Sequence, residues 1–185
     1  MGRLSDFIYE CGQLKKSPRS GWLSIGIRLP ESIADHSWRT AVIGYLLARL
    51  ERANHQRVLE LCVFHDLHEA RISDLNYISA RYVKKDEKRA VRDMVRGMFC
   101  EKEAESLMAE VFSEKTKESI IAKDADLLEM IAQAREYMDA GNPDAREWIR
   151  DAKRKLRTKS ARGLAAELEK TSSNDFWKRL PPLRR

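Results

Sequence analysis

"LCVFHDLHEARISDLN" (Leu61–Asn76) sets His65, Asp66, His68 and Glu69 within five positions, directly behind the apolar run Leu61–Phe64. The chain has only four histidines, so two of them in one short stretch ask for a reason. On a helix, which advances about 100° per residue, His65 and Glu69 share a face and Asp66 lies off its flank. An ion beside that flank could meet His65 and Asp66 together. Taken alone, such a pair is more often an accident of a helix surface or a satisfied histidine.

The surrounding sequence has sparse punctuation and a strong helical period. Leu4, Phe7, Ile8, Cys11 and Leu14 form an amphipathic first helix, which Pro18 and Gly21 in "KKSPRSG" (Lys15–Gly21) break. "SIAD" (Ser32–Asp35) is a capping pattern that opens a second helix through about Ala53. A third helix is expected over Arg57–Arg71, ending at the turn-like "SDLN" (Ser73–Asn76). Later helices are expected over Lys85–Phe112, Lys117–Ala140 and Asp144–Glu169. Gly141 serves as a C-cap and Pro143 stands near the next start. Neither strand alternation nor an internal repeat emerges, so the fold class is all-α.

Composition bounds what such a chain can do. Its 185 residues fit one domain with a single sizeable core. The longest apolar run, Ala41–Ala48, is far short of the roughly 18 residues a membrane span needs. Met1–Glu10 has no apolar segment behind a basic start, and so does not read as a secretory signal. Cys11, Cys62 and Cys100 are odd in number and never CxxC, which points to reduced thiols in a cytoplasm. The net charge of +6 suggests a nucleic-acid partner until its location is considered. Residues 150–185 hold twelve Lys and Arg against four Asp and Glu, leaving 23 basic and 25 acidic residues elsewhere. "RDAKRKLRTKSAR" (Arg150–Arg162) has no interleaved aromatics on which bases would stack, which favours a solvated helix face over a phosphate-tracking one.

Two further stretches change the reading of the HD pair. "ADHSW" (Ala34–Trp38) puts His36 near the start of the apolar second helix, and "KDADLLEM" (Lys123–Met130) puts Asp126 on a largely apolar stretch. A carboxylate there is costly unless it is paired or bound to metal. A salt bridge to an Arg would satisfy it. So would a shared site in which His36, His65, Asp66 and Asp126 hold a divalent cation such as Mn, Co, Fe, Zn or Mg.

This H…HD…D pattern resembles the HD-domain metal-dependent phosphohydrolases. "LKKSPRSGW" (Leu14–Trp22), "RLPESIADHSWRTA" (Arg28–Ala41) and "FHDLHEARISDL" (Phe64–Leu75) are similar to the 5′-deoxynucleotidase branch. The resemblance implies a helical HD domain over residues 1–170 followed by a basic tail, 171–185. It further implies a homodimer, a divalent metal, and nucleoside 5′-monophosphates as substrates. It carries over His36, His65, Asp66 and Asp126 as metal ligands and Glu69 as the catalytic acid. Arg19 becomes the phosphate contact, Trp22 the pocket aromatic and Asp74 the carboxylate reading the sugar. In some bacterial members the Arg and Trp are adjacent, whereas here Ser20 and Gly21 intervene. His68 matches no requirement of the family and reads as an exposed or outer imidazole. Two alternatives stay open: an HD hydrolase of a cyclic or signalling nucleotide, and a non-enzymatic metal-stabilised helical adaptor. The adaptor would have no use for Glu69 and Asp74.

Overall fold

The computed structural model describes residues 2–181. Among the described residues the regular structure is helical, and extended pairing is confined to one isolated bridge between Pro18 and Ser32. The core is built from α2 (Ile33–Leu50), α3 (His55–Phe64) and α7 (Lys117–Asp139), each packed on the other two. α8 (Arg146–Lys155) and α9 (Lys159–Lys170) cover another side of α7.

Both long helices start as their sequences dictate. Ser32 accepts from the Asp35 N–H while the Asp35 carboxylate accepts from Ser32, and Thr116 with Ser119 makes the same reciprocal cap on α7. α2 and α3 approach closely at Gly44, where a β-carbon would collide with Cys62 Sγ. This contact brings the histidine-bearing helices together.

Three expected helices are interrupted. The expected Arg57–Arg71 helix ends at Phe64, and the chain rewinds through a turn at 65–68 into the short α4 (Glu69–Ile72). The three-residue bonds Leu67 N–H to Phe64 O and Glu69 N–H to Asp66 O show the tighter winding. Leu67 pins this turn into a satellite core with Met94, Val95, Phe7 and Phe64. The expected Lys85–Phe112 helix divides into α5 (Glu87–Val95) and α6 (Glu101–Ser113) around Gly97, whose φ is +75°. The expected Asp144–Glu169 helix divides at Leu156, where the Asp124 carboxylate accepts from the N–H groups of Arg157 and Thr158 and draws the start of α9 onto α7. α1 (Gly2–Cys11) tightens into a 3-10 turn, Gly12–Lys15, that buries Leu14.

Beyond residue 170 the expected tail begins pinned to α7. Ser172 Oγ and Ser173 N and Oγ donate to Asp139 at 2.7–3.0 Å, and the short α10 (Asp175–Lys178) follows. Residues 182–185 of the tail lie outside the described residues. In the basic run, Arg150 pairs with Glu147, Arg154 with Asp151 and Lys153 with Glu169.

Candidate metal centre

Three elements bring the expected ligands together. His36 stands in the first turn of α2, His65 ends α3, Asp66 begins the turn behind it, and Asp126 lies mid-way along α7. His36 Nε2 is 3.1 Å from His65 Nε2, 3.1 Å from Asp126 Oδ1 and 3.7 Å from Asp66 Oδ2. His65 Nε2 is 3.2 Å from Asp66 Oδ2 and 4.0 Å from Asp126 Oδ1. Ligands held about 2.0–2.3 Å from one ion stand about 3–4 Å from each other, and these separations match.

The outer ring nitrogens sharpen the fit. His65 Nδ1 lies 2.8 Å from the Cys62 carbonyl, which only a protonated Nδ1 can satisfy. His36 Nδ1 lies 2.5 Å from Glu129 Oε2, and Arg39 holds the other oxygen of that carboxylate through Nε at 2.8 Å. Both rings therefore turn an Nε2 lone pair toward the same point, the arrangement in which a carboxylate or carbonyl orients a metal-binding histidine. Two facing lone pairs repel unless a positive charge lies between them. Burial and Arg19 oppose charge on His36, but its bonds to Asp126 and Glu129 outweigh them and push its pKa up to about 9. Asp126 is held well below the usual carboxylate range, Lys123 and His36 overcoming its burial. The residues present thus fit a divalent cation.

Arg19, Trp22 and Asp74 gather on one side of this cluster, around a cavity of about 700 Å³. The Pro18–Ser32 bridge fixes Arg19 beside the start of α2, its N–H donating to Glu31 O at 3.0 Å. Arg19 Nη1 reaches Asp66 Oδ2 at 3.2 Å. Burial opposes its charge, but Asp66, Asp126, Asp74 and Glu69 keep it firmly protonated. Asp74 Oδ2 accepts from Ser20 N at 2.6 Å and from Ser20 Oγ at 3.1 Å, tying the Arg19 loop to the segment after α4. Trp22 borders the cavity but is only 2% exposed, packed against Tyr137 and Trp148 with its Nε1 donating to Glu31. The half-buried Trp148 of α8 is the second indole of the same wall.

Glu69 is 5% exposed; Lys85 Nζ donates to Oε1 at 2.9 Å, while the buried Oε2 has no hydrogen-bond partner. Burial first, then the charges of Asp66 and Asp74, push its pKa up to about 7 against the opposing Lys85. His68 is buried rather than exposed, its Nε2 3.7 Å from Glu87 and its ring edge-on to Phe112. Burial lowers its pKa from the usual histidine value, against the raising charges of Asp66 and Glu87.

Residues 11–168 match the HD domain family. The chain belongs to the HD domain family. Among relatives of this HD domain, the 5′-deoxynucleotidase HDDC2 of Dictyostelium discoideum is 32% identical over 149 residues, covering 74% of this chain and 78% of that protein. A conserved hypothetical protein from Pyrococcus furiosus has a solved structure that superposes with a TM-score of 0.75 at 32% identity, over 90% of this chain and 99% of its own. The cyanophage S-2L HD phosphohydrolase DatZ, solved with dA and one catalytic Zn²⁺, shares the fold at 16% identity with a TM-score of 0.58, over 88% of this chain and 96% of its own.

Several residues of this HD domain centre were not singled out by the sequence reading. Glu129 carried a signal, three residues after Asp126 and hence on the same face of α7. Lys85 and Trp148 carried none, because each arrives from an element whose position only tertiary packing decides. Asp124, the other carboxylate of "DAD", caps α9 and belongs to the scaffold.

Proposed function

We propose that this HD domain protein hydrolyses deoxynucleoside 5′-monophosphates to nucleoside and phosphate, with His36, His65, Asp66 and Asp126 holding a divalent cation. The observation that carries the reading is the 3.1–4.0 Å spacing of two imidazole nitrogens and two carboxylate oxygens, with a guanidinium 3.2 Å from one of them. The names of its relatives agree with it. A cation bound there supplies Lewis acidity toward phosphoryl oxygens and makes a bound water more acidic.

The remaining steps fall to the chain's own side chains. Arg19 offers a planar fork to two phosphate oxygens. Glu69, protonated up to about pH 7, gives its proton to the departing 5′-oxygen. Trp148 and the edge of Trp22 bound the space for the base. Of the three Ser20 bonds to Asp74, two go to Oδ2 and one to the backbone carbonyl, which leaves Oδ1 for a sugar 3′-hydroxyl. A 2′-hydroxyl beside that anchor has to be buried without a partner, at about 1–3 kcal/mol, so ribonucleotides are expected to have roughly 5- to 150-fold lower kcat/KM. The test is phosphate release from dAMP against AMP and dUMP against UMP. Equal rates within each pair favour a general phosphomonoesterase, and no release from any of them sinks the proposal. In Asp74→Ala the preference is expected to vanish.

The finer setting is proposed on separate grounds. The outer face of α2 leaves Trp38 70%, Leu46 53% and Leu50 60% exposed in one stripe, with Leu59 and Val63 of α3 beside it, a surface suited to a two-fold partner. Light scattering is expected to give a mass near twice 21.5 kDa, and a monomer at micromolar concentration refutes the dimer. No helix among the described residues is long and apolar enough to cross a membrane, and all three cysteines are free, in keeping with a cytoplasmic setting. A fusion to a fluorescent reporter tests this, and export of the fusion contradicts it.

A further inference from the structure

A second cation stands at the cluster, on the side Arg19 does not occupy. Lys123 lies one turn before Asp126 on α7, and its Nζ is 2.7 Å from Asp126 Oδ2. The other oxygen, Oδ1, faces His36 Nε2 at 3.1 Å. The carboxylate is therefore divided between an inner oxygen for the centre and an outer oxygen for Lys123. Arg19 meets Asp66 on the α8 side, at 3.2 Å. Lys123 lines a different cavity, of about 530 Å³, which it shares with His65, His68 and Asp126.

Charge shows what the pair is for. Around the cluster, Lys85 is already bound to Glu69, and Arg39 to Glu129 and Glu136. Glu114, which lines the same cavity as Lys123, is bound to Arg157. Arg19 and Lys123 are the cations paired with the candidate ligands Asp66 and Asp126 themselves. Once those two carboxylates face a divalent cation, each of these two side chains has a positive charge to offer a further partner. A phosphate monoester dianion carries two negative charges and three non-bridging oxygens, enough for a contact on each side.

We propose that Lys123 is a second phosphate-binding residue of this centre, gripping the phosphoryl group from the side opposite Arg19. The inference rests on the phosphohydrolase reading. It assigns Arg19 the planar two-oxygen contact and Lys123 the point charge, and it explains why a lysine lines a cavity that holds none of the residues proposed to bind the nucleoside.

The test uses the full-length metal-loaded protein and two equilibrium readouts: metal content by mass spectrometry, and the affinity for inorganic phosphate by isothermal titration. Lys123→Met is expected to keep the metal and to weaken phosphate binding roughly ten- to hundredfold, the range for losing a charged hydrogen bond. Binding of deoxyadenosine is expected to stay unchanged, and Lys123→Arg is expected to stay within a few-fold of the unmodified protein for phosphate. Unchanged phosphate affinity in Lys123→Met overturns the proposal. So does loss of metal, which makes Lys123 a positioning residue for Asp126. Should Lys123→Met fail to fold by circular dichroism, Lys123→Gln is read against the same criteria. An unmodified protein that binds phosphate but releases none from nucleotides sinks the phosphohydrolase reading alone.

Discussion

The two halves of the candidate site stand on different kinds of backbone. His36 and Asp126 sit on long, doubly capped helices whose buried faces make the main core. Arg19, Glu69 and Asp74 sit just before a 3-10 turn, on a four-residue helix and on a loop, held by a few polar contacts such as Ser20 to Asp74 and Lys85 to Glu69. A rigid half suits residues that must converge on a point whether or not substrate is present. A half held by a few polar contacts suits groups that meet a ligand and move a proton.

If that division is right, changes in the two halves fail differently. The largest effect belongs to the rigid half. Asp126→Ala removes an inner oxygen and leaves Lys123 without its partner, so metal content and phosphate release are both expected to fall to background; retained metal breaks the comparison. Next comes Glu69→Gln, which keeps size and hydrogen bonding while removing the transferable proton. Its metal content is expected to match the unmodified protein while the rate drops by about 10²–10⁴. The sign with pH follows from the carboxyl's raised pKa: Glu69 loses its proton as pH rises through about 7, so the acid-assisted rate declines on the alkaline side. That limb is absent from Glu69→Gln, and a limb that survives the substitution assigns the proton to another group.

The smallest effect is purely structural. Gly44→Ala forces a methyl group onto Cys62 Sγ between α2 and α3 and is expected to cost about 1–3 kcal/mol. For a chain of this size that lowers Tm by roughly 2–12 °C, a shift readable by calorimetry. Tm unchanged by the methyl group means that α2 and α3 separate freely there, and that the histidine-bearing helices are less rigidly joined than the comparison requires.

The same division explains what could be read from the sequence. Capping at Ser32–Asp35, the apolar setting of Asp126 and the spacing of His36 from His65–Asp66 are local patterns, and they place all four candidate ligands on helices or helix ends. Periodicity carries an unbroken helix through Asp66 to Arg71, but the chain breaks after Phe64 because Leu67 is drawn into the satellite core under the turn. That break swings Asp66 Oδ2 to within 3.2 Å of His65 Nε2, where neighbours on a regular helix diverge. Trp22 shows the opposite limit. By sequence alone a tryptophan here reads more as core, and only the resemblance makes it a pocket aromatic; most of its ring is buried, and its neighbour in the cavity wall, Trp148, arrives from 126 residues downstream. Nothing local connects the two.

The chemistry of the centre depends on one point shared by His36, His65, Asp66 and Asp126. Crystals of the Mn²⁺-loaded protein, measured at the manganese absorption edge, locate the ion directly from its anomalous signal. The expected result is a peak about 2.0–2.3 Å from His36 Nε2, His65 Nε2, an Asp66 oxygen and Asp126 Oδ1. A peak elsewhere, or an ion that leaves Asp126 uncoordinated, contradicts it.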